Sequence, residues 1–97
     1  MVKTIWFHHV KDFTSWKKVF DSFYDVRKQN SEKSYSVGTV IGDPTNVYVI
    51  NEWTSLEAFN TFRNLTELKD TMMKAGVIEE PKITLVDEVM QEAHHNY

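Results

Sequence analysis

Residues 47–62 read VYVINEWTSLEAFNTF (Val47–Phe62), and a change of rhythm inside them decides the fold. Val47, Val49 and Ile50 are β-branched and mark a strand that Trp53 closes, whereas Leu56, Phe59 and Phe62 recur at helical spacing. Between the two lies Thr54-Ser55-Leu56-Glu57, the pattern of a capping box. Thr54 is expected to accept an amide of the first turn while Glu57 reaches back.

Downstream, Asn64-Leu65-Thr66-Glu67 repeats the capping pattern. The helix is therefore expected to break near Asn64 and a second short one to run over Leu65–Ala75, stopped by Gly76. Pro81 then precedes a last strand, Ile83–Val89. Upstream, Lys3–Val10 reads as a strand with Trp6, His8 and Val10 on one face and Ile5, Phe7 and His9 on the other. Asp12 is placed to cap a helix from Phe13 to about Gln29, whose apolar stripe is Phe13, Trp16, Phe20 and Phe23, continued by Arg27. Tyr35–Ile41 is the second strand, and a turn at Gly42–Asn46 joins it to the third as an antiparallel hairpin. Gly38, inside that second strand, signals a bulge or a close approach.

The order is β-α-β-β-α-β. It predicts an α+β fold of the ferredoxin-like kind, a four-stranded antiparallel sheet with its helices on one face. Residues 1–90 form a single domain and residues 91–97 a polar C-terminal tail, either frayed or laid across a partner. The second sheet face still carries apolar and aromatic side chains, and a monomer seldom leaves such a face in water. The expected solution is a homodimer whose sheets face each other to close a dimeric α/β barrel.

Composition narrows the function. The 97 residues carry a formal charge of −3, and Lys17-Lys18 is the longest cationic run, which argues against nucleic acid and acidic membranes as partners. No apolar run approaches the roughly 20 residues that span a bilayer. The absence of cysteine excludes disulfides, thiolate metal sites and a cysteine nucleophile, and fits a cytoplasmic setting. Three glycines make neither a phosphate loop nor a dinucleotide fingerprint.

Two segments carry a family likeness. His-x-Val-x-Asp-x-x-x-Trp-Lys-x-x-Phe-Asp at His8–Asp21 and Glu-Trp-x-Ser at Glu52–Ser55 resemble the antibiotic biosynthesis monooxygenase superfamily of small dimeric α/β-barrel proteins, close to its short bacterial members. The resemblance runs from about Val2 to Val89. It implies the fold and the dimer. The superfamily includes cofactor-independent oxygenases, haem-degrading oxygenases, lactone isomerases and proteins without a known activity. The haem-degrading branch's tryptophan falls near Phe62 here and its histidine near Met72, so that chemistry is not implied. The Asn/Trp/Tyr/Arg set of the quinone-forming oxygenases is not reproduced at matching places either. No cofactor is expected.

His8 leads the candidates for chemistry, because an imidazole on an apolar strand face can serve as an acid or base. Its structural counterpart is a buried ring hydrogen-bonded to neighbouring backbone. Glu52 and Trp53 alternate, so one of them faces the helices and the other the second sheet face. If Glu52 faces inward it needs a partner such as His8, and the pair would form a base; if Trp53 does, it walls a cavity. Arg27 is expected to pair with Asp12, Glu52 or another carboxylate, to hold an anionic ligand, or to snorkel to water. A pocket would then be walled by Trp6, Trp16, Phe20, Arg27 and Trp53, although Trp16 and Phe20 at helical spacing are first of all a core pattern.

His8-His9 point to opposite faces and do not form a metal pair, and His94-His95 in the tail are the remaining histidines. Two functions are left. One is a non-catalytic dimeric or small-molecule-binding domain. The other is a cofactor-independent oxygenase or isomerase acting on a small apolar or aromatic compound, with His8 as acid or base.

Overall fold

The structure, a computed structural model, describes residues 1–94. Its elements run β1 (Val2–His9), α1 (Phe13–Ser22), α2 (Tyr24–Gln29), β2 (Glu32–Val40), β3 (Asp43–Trp53), α3 (Leu56–Arg63), α4 (Thr66–Lys74) and β4 (Lys82–Asp87). The strands make one antiparallel sheet in the order β2-β3-β1-β4, the ferredoxin-like arrangement expected from the element order. The backbone departs from the sequence expectation in several places, each with a local cause.

The first helix is two. Ser22 Oγ donates to the Val19 carbonyl and Arg27 Nη1 to that of Phe20, while the Phe23 amide is shared between the same two carbonyls. Side-chain donors thus occupy acceptors that a continuous helix would fill, and Phe23 leaves helical geometry at φ −92°, ψ 6°.

The cap of α3 is shifted by one residue. Thr54 Oγ1 and its amide both bond the Ser31 carbonyl, so Ser55 takes over as N-cap and its Oγ accepts the Ala58 amide at 3.1 Å. The break at Asn64 occurs as expected, yet α4 starts after Leu65, which has no side chain to cap with. Gly76 follows α4 at φ 82°, the left-handed conformation that glycine adopts without strain.

The β2–β3 turn is also tighter than expected, with Val40 opposite Asp43 and Gly42 at φ 83°, so β3 already begins at Asp43. The last strand ends at Asp87 instead of Val89, because its partner β1 starts at Val2 and only Met1 remains beyond it, bonded to Glu88.

Side chains alternate across the sheet. Thr4, Trp6, His8, Val47, Val49, Asn51 and Trp53 are buried beneath the helices. The core joins them to Trp16, Phe59, Phe62, Leu68 and Ala75. The opposite face carries Ile5 and Phe7 from β1 and Tyr48, Ile50 and Glu52 from β3, none of them fully buried. Gly38 lies on that face opposite Tyr48, and a Cβ there would meet the Tyr48 ring at 2.6–2.8 Å. The close approach expected at Gly38 is thus made by an aromatic side chain.

Candidate functional site

A small cavity of about 60 Å³ lies between sheet and helices. Trp6, His8, Val49 and Asn51 form its floor, Trp16, Phe20 and Arg27 one wall, and Phe62, Leu68 and Met72 the other. Strand periodicity puts the floor residues on one face, and the α1 stripe at i, i+4 brings Trp16 and Phe20 over them. The rings contact one another: His8 stacks on Trp6 with centroids 5.6 Å apart and lies 5.8 Å from Trp16, which stacks on Phe20 at 4.9 Å.

His8 is 5% exposed, and its Nδ1 has no hydrogen-bond partner among the described residues. The backbone-bonded histidine of the structural reading is therefore not what this fold builds. Burial in aromatic surroundings disfavours the imidazolium and lowers the His8 pKa to about 4. Near pH 7 the ring is neutral, and its free nitrogen can accept or donate according to tautomer.

Arg27 is 3% exposed and its cation is matched inside the protein. Nε donates to both oxygens of Glu32, at 3.2 and 3.1 Å, and the guanidinium lies 3.7 Å from the Phe20 ring centroid. It does not snorkel to water. Nη2 is left without an acceptor among the described residues. Because Glu32 already neutralises the charge, the spare donor suits a neutral oxygen better than a second anion.

Glu32 is the residue the sequence reading missed. A register shift between Glu32 and Ser34 sets Glu32 opposite Trp53 and Ser34 opposite Glu52, leaving Lys33 as an extra residue. This bulge turns Glu32 toward the helices, as bulges beside sites commonly re-aim a side chain. Its Oε2 also accepts Asn51 Nδ2 at 2.6 Å. Asn51 Oδ1 accepts from Thr4 Oγ1 at 3.2 Å, and Thr4 Oγ1 itself accepts the indole N–H groups of Trp6 and Trp53 at 3.0 and 2.9 Å. One polar chain therefore runs under the cavity from Arg27 to Trp53. A signal was present in the sequence: an arginine on a buried stripe requires a carboxylate, and Glu32 is only five residues away.

The expected residues divide clearly. His8, Trp6, Trp16, Phe20 and Arg27 line the one cavity. Glu52 is not brought to His8. It sits across the sheet, on the other face, opposite Lys3, so no Glu–His pair forms. Trp53 is fully buried against Phe59 and Phe62, behind the cavity and not in its lining. Asp12 caps α1 through the Ser15 amide at 2.8 Å and has no part in the site.

His9 contacts Glu79, away from His8. His94 is exposed, and His95 lies outside the described residues. Among the described residues no three His, Asp or Glu side chains gather as a metal site requires, and no helix is long and apolar enough to cross a membrane.

A larger groove of about 570 Å³ adjoins the cavity between α4 and residues 77–83. Arg63, Lys69, Glu79 and Glu80 are among its lining residues, and Trp6, Leu68 and Met72 belong to both hollows.

No family model matches the sequence, and no curated protein matches it. Solved structures do. An antibiotic biosynthesis monooxygenase superposes with a TM-score of 0.71 at 17% identity, over 93% of this chain and all of the other. SnoaB, a cofactor-independent oxygenase from Streptomyces nogalater, gives 0.76 at 12% identity over 93% of this chain and 94% of its own. Rv0793 from Mycobacterium tuberculosis gives 0.72 at 10% identity over 95% and 98%. At such identities the likeness is one of architecture, reached along nearly the whole length of each chain. The chain has the α+β ferredoxin-like fold of the antibiotic biosynthesis monooxygenase-like proteins.

Proposed function

We propose that this protein is a homodimeric small-molecule-binding domain whose inner cavity receives the oxygen-bearing end of a neutral, largely apolar compound. One observation carries the reading: two buried polar atoms of cavity-lining residues, His8 Nδ1 and Arg27 Nη2, have no partner among the described residues, and most of the remaining lining is aromatic or aliphatic. An unsatisfied buried polar group costs about 1–3 kcal/mol, so a ligand that supplies both partners gains what the empty fold gives up. A phenol or carbonyl oxygen meets a neutral imidazole and a spare guanidinium N–H without bringing in a charge.

Binding is favoured over catalysis by magnitude. A base with a pKa near 4 lies well below the operating pH at which general acid–base groups are most effective. Without Glu52 beside it, no carboxylate among the described residues raises the basicity of His8. The oxygenase or isomerase reading thus ranks second.

The dimer belongs to the same proposal. Phe7 at 43% exposure, with Ile5, Tyr48 and Ile50, leaves an apolar sheet face that a second copy would cover. A cytoplasmic setting accords with the lack of cysteine.

The test is an NMR titration with p-cresol, a neutral phenol. Shifts concentrated at the Trp6 and Trp16 indole N–H groups and lost in His8→Leu support the reading. An unperturbed cavity at saturating p-cresol rejects it.

A further inference from the structure

We infer that the inner cavity and the outer groove are two ends of one elongated site divided by the Met72 side chain, so that the ligand is a long molecule with its oxygen at one tip. This rests on the small-molecule reading above and adds its shape. The inner cavity, at about 60 Å³, takes no more than the small tip of a ligand, since a single water already needs about 10–15 Å³. Pockets that bury drug-sized ligands run to about 300–1,000 Å³, a range the outer groove reaches at about 570 Å³. Among the described residues the groove offers no unpartnered buried polar atom, and the cavity has room only for the small tip of a ligand. Each has what the other lacks.

Three residues form the partition, and they differ in their freedom to move. Trp6 is pinned by its indole bond to Thr4 and by stacking on His8. Leu68 is 8% exposed and packed in the core. Met72 is only half-buried, unbranched, and able to swing through three side-chain torsions. A rotamer change at Met72 would open the wall without disturbing the sheet. The groove rim carries cations and anions together, Arg63 and Lys69 with Glu79 and Glu80, so it selects no net charge and suits an uncharged apolar body.

The experiment compares p-cresol with 4-hexylphenol, which keeps the phenol tip and adds five methylenes, across Met72→Ala, Met72→Phe and the control Met90→Ala, an exposed methionine outside both hollows. The wild type should bind 4-hexylphenol at least about tenfold more tightly than p-cresol, the extra chain being buried. Met72→Ala should raise the 4-hexylphenol affinity severalfold, and by more than it changes that of p-cresol. Met72→Phe should bring the long phenol down to the level of the short one, and Met90→Ala should change neither. Both phenols tracking each other through the Met72 variants would overturn the inference while leaving the binding reading intact.

A second measurement is independent of phenol binding. Acrylamide should quench tryptophan fluorescence more strongly in Met72→Ala than in wild type, because removing the partition exposes the Trp16 cavity to the groove. Unchanged quenching with a native fold contradicts the partition, even if neither phenol binds and the small-molecule reading has failed separately.

Discussion

Arg27 and Glu32 form an ion pair in which both side chains are only 3% exposed, with Nε 3.1 Å from Oε2. Glu32 is also the anchor of Asn51, so a single carboxylate sets two polar residues of the cavity. Removing one partner of a buried pair strands the other charge, at a cost of about 3–5 kcal/mol. Glu32→Ala should therefore lose a large share of the stability of a domain whose whole margin is about 5–15 kcal/mol. The double variant Arg27→Met/Glu32→Leu should recover much of that loss, since no charge is then stranded. Urea unfolding of the three proteins checks the order.

His8 gives the protein a pH dependence whose sign follows from its lowered pKa. The unfolded chain takes up a proton near pH 6.5, and the folded protein resists doing so until about pH 4. Between those values the unfolded state binds more protons, so stability is complete above pH 6.5 and falls as the pH is lowered toward 4. The full difference approaches about 3 kcal/mol at 1.36 kcal/mol per pKa unit. Melting temperatures in this window should drop for the wild type and drop less for His8→Leu.

Gly38 and Tyr48 test the cross-strand packing on the other face. A Cβ at residue 38 would come within 2.6 Å of the Tyr48 ring, so the ring must move. Gly38→Ala should cost about 1–3 kcal/mol, the usual scale of overpacking. In a Tyr48→Thr background the same change should be neutral or stabilising, because alanine serves a strand interior better than glycine. A double-mutant cycle by denaturant unfolding isolates the coupling.

The sheet face that carries Ile5, Phe7, Tyr48 and Ile50 is the expected dimer surface. Ile50→Lys places a charge at its centre, next to Ile5 in the β1–β3 register. Sedimentation should show a dimer for the wild type and a folded monomer for the variant. A wild-type monomer at high concentration removes the argument from the apolar face.

The architecture was legible because it depends on periodicity. The strand-to-helix switch in Val47–Phe62 and the apolar stripe Trp16–Phe20–Phe23 report their neighbours through spacing alone. Cap positions were less so: Thr54 and Ser55 are equally good caps locally, and only the distant Ser31 carbonyl decides between them. The site was half legible. His8, Trp6, Trp16, Phe20 and Arg27 follow from the facing stripes that meet beneath the helices. Glu32 did not, because a bulge at Lys33 reverses the parity from which its face would be read. The facing of Glu52 and Trp53 was undetermined by alternation, which supplies two faces without saying which is covered. Trp53 goes inward because its indole N–H finds Thr4, whereas Glu52 lies opposite Lys3 on the other face.

In the proposed function His8 and Arg27 receive the oxygen of a neutral apolar compound. A crystal structure of the protein grown with p-cresol tests it most directly. The phenolic oxygen is expected within hydrogen-bonding distance of His8 Nδ1, Arg27 Nη2 or both, with the ring among Trp6, Trp16 and Phe20. A cavity that stays empty while p-cresol binds elsewhere, or not at all, would contradict it.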